Sequence, residues 1–146
     1  MKENRVDIYY GKEDSELTAL FQFLDKSQSL LGTYEGGERL LIPNEIFYFE
    51  SVEKKCFAYL EKTVYQVQGN LKSLEEAYAS LGFVRVNKSM VLNLFRVKQL
   101  KACMNMKILA QLENGEEIMI NRSYKKHFAK QLEKLRREGE LCENHK

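Results

Sequence analysis

From Arg39 to Ile120 the chain alternates short runs of β-branched and aromatic residues with short polar turns, a rhythm that suits short β-strands. The runs Arg39–Ile42, Ile46–Ser51, Cys56–Leu60 and Thr63–Gln68 read as strands, with VEKK and EK among the turns between them. Further strands are expected in VRVNKSMVLN (84–93) and at Val97–Ala102, Met106–Leu112 and Glu117–Ile120. The Asn114-Gly115 pair inside ENGE is a hairpin signal, because both residue types tolerate positive φ. Two helices interrupt the pattern. Ser73 and Glu76 form a capping box over Leu74, Ala77, Tyr78 and Leu81, with Gly82 closing that helix. A last helix, led by Asn121 or Ser123, places Tyr124, Phe128, Leu132 and Leu135 on one face and should fray beyond Arg137.

The segment before these strands has a different character. RVDIYY (5–10) reads as a strand ended by Gly11, followed by a helix capped by Asp14 or Ser15, with Leu17, Leu20, Phe21 and Leu24 at helical spacing and Gly32 as its stop. The two glycines of TYEGGER make the best candidate boundary. The expected organisation is therefore an N-terminal βα segment over 1–36, a principal domain over 37–137 and a frayed tail over 138–146. The expected fold class is mainly β with a few helices, α+β overall.

Composition excludes several functions. Three scattered cysteines without a C-x-x-C, and two distant histidines, build neither a disulfide framework nor a zinc or catalytic centre. An enzyme is disfavoured for want of a nucleophile and base pair, and no cofactor or metal is expected. There is no apolar run long enough to span a membrane and no secretory h-region, so a cytoplasmic protein is expected. The net charge of +2 hides an asymmetry: between Val84 and Arg137 lie thirteen lysines and arginines against four glutamates. Such clustering favours a polyanion, nucleic acid or an anionic membrane face.

Hydrogen-bond donors gather at three turns: Glu53–Lys55, Arg85–Ser89 and Asn121–Lys126. A rigid scaffold holding such turns outward suits DNA reading, since Asn matches an adenine edge, Arg a guanine edge, and Ser, Lys and backbone amides a phosphate. The bland alternative is a solvated surface, in which Ser73 and Ser123 only cap helices and Asn87 and Asn93 only satisfy loop backbone. The pattern alone leaves both readings open.

Five landmarks in order add to it: I-F-Y-F-E (46–50), G-N-L-K-S-L-E (69–75), F-V-R-V-N-K-S-M-V-L-N (83–93), L-E-N-G (112–115) and I-N-R-S-Y (120–124). From about Leu40 to Leu135 the chain resembles the LytTR family of bacterial DNA-binding domains. The resemblance implies an elongated arrangement of small antiparallel β-sheets that inserts loops into the major groove of double-stranded DNA, and so a transcriptional regulator. Carried over, Lys54, Lys55, Asn87, Lys88 and Arg122 match base-contacting positions, and Arg85, Ser89, Asn93, Ser123, Lys125 and Lys126 match phosphate or loop-supporting ones. Asn87-Lys88 replaces the His-Arg or His-Asn of many members. The segment before Leu40 is too short for the receiver domain often fused to this family, so the chain resembles the short stand-alone members, some of them restrained by a small membrane protein. The implied partners are promoter DNA, as paired repeats, a second copy in a homodimer, and such a membrane-protein regulator, with the N-terminal βα segment as the place for dimerisation or for that partner. The alternatives are a protein-interaction or signalling β-module without specific DNA binding and, less favoured, an RNA-binding sheet.

Overall fold

Tight hairpins organise the chain, and their turns follow from residues that accept left-handed backbone. Residues 28–144 are described by the computed structural model, and the strand and helix expected before Gln28 lie outside them. Among the described residues ten strands form two antiparallel sheets. The larger has seven strands in the order β2-β1-β5-β4-β3-β7-β6. These are β1 Leu30–Tyr34, β2 Gly37–Leu41, β3 Tyr48–Val52, β4 Lys55–Tyr59, β5 Val64–Val67, β6 Phe83–Asn87 and β7 Met90–Asn93. The smaller, in the order β10-β9-β8, consists of β8 Val97–Ala102, β9 Ile108–Leu112 and β10 Glu117–Ile120. Helix α1 spans Leu71–Tyr78 and α2 spans Lys125–Asn144.

Period-two alternation sends neighbouring residues to opposite faces of the large sheet, and its middle strands are buried on both. One face gathers Phe49, Cys56, Ala58, Val67, Phe83 and Val91 under Leu71, Leu74 and Tyr78 of α1. The other gathers Phe47, Tyr48, Val84, Val86 and Leu92 against Ala110, Leu112, Ile118 and Ile120 of the small sheet and Phe128 of α2. The large sheet is thus the middle layer. A stacked pair, Tyr48 and Tyr59 at 4.5 Å, continues this second core, and the Tyr48 hydroxyl donates to Glu116 Oε2 at 3.1 Å in the β9–β10 turn. Burial, reinforced by the Glu116 carboxylate, pushes the Tyr48 hydroxyl well above the usual phenol range, while burial and the Glu50 carboxylate push Tyr59 up to about 12.

Several local expectations change. TYEGGER is the β1–β2 hairpin turn, with Glu35 and Gly36 at positive φ, and both strands belong to the large sheet rather than marking a segment break. Gly32 does not stop a helix: it lies in β1, where a β-carbon would come within 2.7 Å of Tyr65 Cβ and 2.8 Å of Leu41 Cδ1. Close packing, not helix termination, requires it. Helix α1 is capped one turn earlier than Ser73-Glu76 implies. Asn70 Oδ1 accepts from Ser73 N–H at 2.8 Å, and Ser73 Oγ accepts from Asn70 N–H at 3.0 Å. Gly82, at φ 99°, does close the helical segment. Helix α2 runs on to Asn144, beyond the end expected at Arg137.

Candidate nucleic-acid interface

Three backbone-anchored contacts bring the three donor-rich turns to one end of the molecule. Strand β3 pairs with β7, so the β3–β4 and β6–β7 hairpins lie side by side, and Ser51 N–H donates to Ser89 C=O at 2.8 Å between their tips. The small sheet joins them through β10. Asn121 N–H donates to Val86 C=O at 3.0 Å, and Asn87 Nδ2 donates to Met119 C=O at 3.3 Å. Lys54, Lys88 and Arg122, far apart in sequence, therefore stand on neighbouring projections.

The first projection is a two-residue turn in which Glu53 and Lys54 both adopt left-handed backbone, φ 50° and 67°. That conformation matches the twist of a hairpin but is costly for residues with a β-carbon. Lys55 opens β4 opposite Val52, and both lysines are exposed.

In the second projection the side chains divide their work. The Arg85 guanidinium folds back onto the turn, Nε donating to Asn87 C=O at 3.1 Å and Nη2 to Lys88 C=O at 2.7 Å. Asn87 Oδ1 accepts from the Ser89 amide at 2.9 Å and from its hydroxyl at 3.1 Å. Arg85, Asn87 and Ser89 thus brace the loop from within, and Lys88 is its exposed side chain. Asn93 acts deeper still. Only 1% exposed, it donates to Ile46 C=O at 2.9 Å and accepts from Phe95 N–H at 3.0 Å, so it supports the fold where no phosphate reaches.

The third projection follows β10. Asn121 to Tyr124 turn tightly into α2, with Arg122, Ser123 and Lys126 exposed and Lys125 half-buried. Asn121 makes no side-chain cap; the Tyr124 amide instead closes on its carbonyl at 2.9 Å. Helix α2 then packs against β6, burying Phe128 beside Val84 and Val86. Glu75 Oε2 of α1 accepts from Arg85 N–H at 2.9 Å and pairs with His127 Nε2 at 2.8 Å, and Gln131 Nε2 donates to Ala79 C=O at 2.8 Å. Glu75 and His127, which the sequence reading passed over, join the helix behind Arg122 to the strand leading into Asn87.

Not every cation belongs to this surface. Arg96 donates to Asn44 C=O at 3.0 and 2.7 Å, pairs with Glu113 at 3.0 Å and lies over the Phe47 ring, so it clamps the two sheets. Among the described residues Lys54, Lys55, Lys88, Arg122, Lys125 and Lys126 form no ion pair, and they make a cationic end. No group of three His, Cys, Asp or Glu residues is placed to hold a metal among the described residues. No helix there is long and apolar enough to cross a membrane.

The family model described as LytTr DNA-binding domain matches residues 38–133. The chain belongs to the LytTR family. It is similar to the sensory transduction protein LytT of Enterococcus faecalis, 26% identical over 93 residues, covering 64% of this chain and 38% of that protein. The match therefore spans well under half of that relative. A solved LytTr DNA-binding domain from Bacillus cereus superposes with a TM-score of 0.67 at 21% identity, covering 71% of this chain and 95% of that one. The likeness establishes the LytTR fold: mostly β, with antiparallel sheets and, among the described residues, two α-helices.

Proposed function

We propose that this LytTR protein is a sequence-specific, double-stranded DNA-binding transcriptional regulator that seats its three projections in the major groove. The observation carrying this reading is the convergence of Lys54, Lys88 and Arg122 through the Ser51–Ser89 and Asn121–Val86 hydrogen bonds, which brings three separate turns to one end of the molecule. Lys54, Lys55, Lys88 and Arg122 approach base edges, Arg122 offering the bidentate donor set that suits guanine. The family resemblance sets Asn87 at a base edge too, but its amide is engaged at both ends, so its part is to shape the turn that presents Lys88. Lys125, Lys126 and Ser123 contact phosphate, while Arg85, Ser89 and Asn93 support the loops. The protein works without catalysis, in the cytoplasm, as a homodimer on paired sites. A membrane-protein regulator would engage the N-terminal segment.

The phosphate-contacting Lys125 and Lys126 set a slope of log K against log salt of at least about −2, and counterions displaced by the four cations that enter the groove beside the backbone steepen it towards about −5. Affinity for a duplex measured across a salt series tests this. A flat dependence would favour the rival reading, a protein-interaction module whose basic end only solvates it.

A further inference from the structure

A fourth projection stands at the same end of the small sheet and is absent from the reading above. Ile120, the last residue of β10, pairs with Ile108, which also pairs with Ala102. The β8–β9 turn, Cys103 to Lys107, therefore leaves the sheet beside Arg122, one to two strand spacings away, about 5–10 Å. Its tip is unusual in two ways. Met104 is 85% exposed and Met106 61% exposed, the two most exposed large apolar side chains among the described residues apart from Phe95, which equals the second. Asn105 and Met106 also hold left-handed backbone, φ 63° and 60°, with the turn closed by Cys103 N–H donating to Lys107 C=O at 2.9 Å. An unbranched thioether at positive φ has no local reason to be there. Exposed Lys101 and Lys107 flank the pair.

We propose that this turn is a further DNA contact, Met104 and Met106 lying against sugars and base edges of the minor groove beside the segment read by Arg122, with Lys101 and Lys107 on the adjoining phosphates. Two methionines offer none of the strong donors and acceptors that major-groove reading uses, but they can act as the apolar wedge that minor-groove binders employ. The lysines favour a polyanion over an apolar protein partner, and the turn is continuous with the cationic end. The proposal rests on the DNA-binding reading and extends its footprint.

The test compares wild type with the double variant Met104→Ser/Met106→Ser, the pair Lys101→Ala/Lys107→Ala, and Arg122→Ala. The readouts are affinity for a selected duplex, hydroxyl-radical footprint, salt slope and solution mass. The methionine variant should bind about tenfold more weakly and lose protection only at the flank of the site. The lysine pair should flatten the salt slope by about two. Wild-type affinity and footprint in both variants, with Arg122→Ala impaired, would overturn the fourth contact and leave the DNA-binding reading intact. No duplex binding by wild type would remove both. A lower solution mass with unchanged affinity per protomer would make the turn a contact between copies and overturn the proposal.

Discussion

Replacing Lys54 with glycine should move stability and DNA affinity in opposite directions. Lys54 sits at φ 67° beside Glu53 at φ 50°, and each is an L-residue in a conformation that glycine adopts freely. Left-handed backbone costs such a residue about 1–2 kcal/mol, of which the extra freedom of unfolded glycine returns part, so K54G should gain about 0.5–1 kcal/mol. For a chain of this size that raises Tm by about 2–4 °C. The same change removes an exposed cation from the presenting end and should cost about 1–3 kcal/mol in affinity for the preferred duplex. K54Q separates the two effects, because it removes the charge and keeps the β-carbon. It should lose the same affinity while its stability stays within about 0.5 kcal/mol of wild type. Denaturant melts and duplex titrations on the three proteins provide the comparison. If K54G lowered stability, the left-handed turn would not be the strained element described. If both variants bound as wild type does, Lys54 would not face DNA.

Arg122→Ala should weaken the preferred duplex by about 1–3 kcal/mol and relax one base position, while Lys126→Ala should weaken all sequences alike and reduce the salt slope by about one; competition titrations against single-base variants distinguish them. Asn93→Ala leaves Ile46 C=O and Phe95 N–H without their partner and should destabilise by about 2–3 kcal/mol in urea melts, with the salt slope of the remaining folded protein unchanged. Alkali should unfold the protein through Tyr48 and Tyr59. Both phenols have folded pKa values raised above the unfolded value of about 10, so their contribution is complete below that pH and is lost as pH rises towards 12 and beyond. Denaturant midpoints at about pH 8 and about pH 11 should therefore fall together with the appearance of phenolate absorbance, and Tyr59→Phe should blunt the fall.

The sequence speaks most clearly where the physics is local. Strands β8 and β10 have the limits that alternation predicts, and Asn114-Gly115 forms its turn with Gly115 at φ 94°. It speaks less clearly where one residue type serves two ends. Gly32 looks like a helix stop because glycine ends helices, yet its role is set by Tyr65 and Leu41, which approach it only once β1 lies in the sheet. Asn70 and Ser73 share the α1 cap in a reciprocal pair that the usual Ser-x-x-Glu pattern does not describe. For the interface, the three donor-rich turns are legible in the sequence, whereas which donors are engaged within the protein is not. Asn87 looks like a base contact, and Arg85 and Asn93 look equally suited to phosphate or to loop support, because all three are good donors. Carbonyls near and far and nearby turn amides, invisible to periodicity, engage them within the protein. The Glu75–His127 link across 52 residues has no local signal at all.

Selection of bound sequences from a random duplex pool, run in parallel on wild type and Arg122→Ala, tests the central claim most directly. Wild type should enrich one motif, and the variant should enrich the same motif with one base position relaxed. A wild-type pool that remains unenriched after repeated rounds would contradict sequence-specific DNA binding by this end of the molecule.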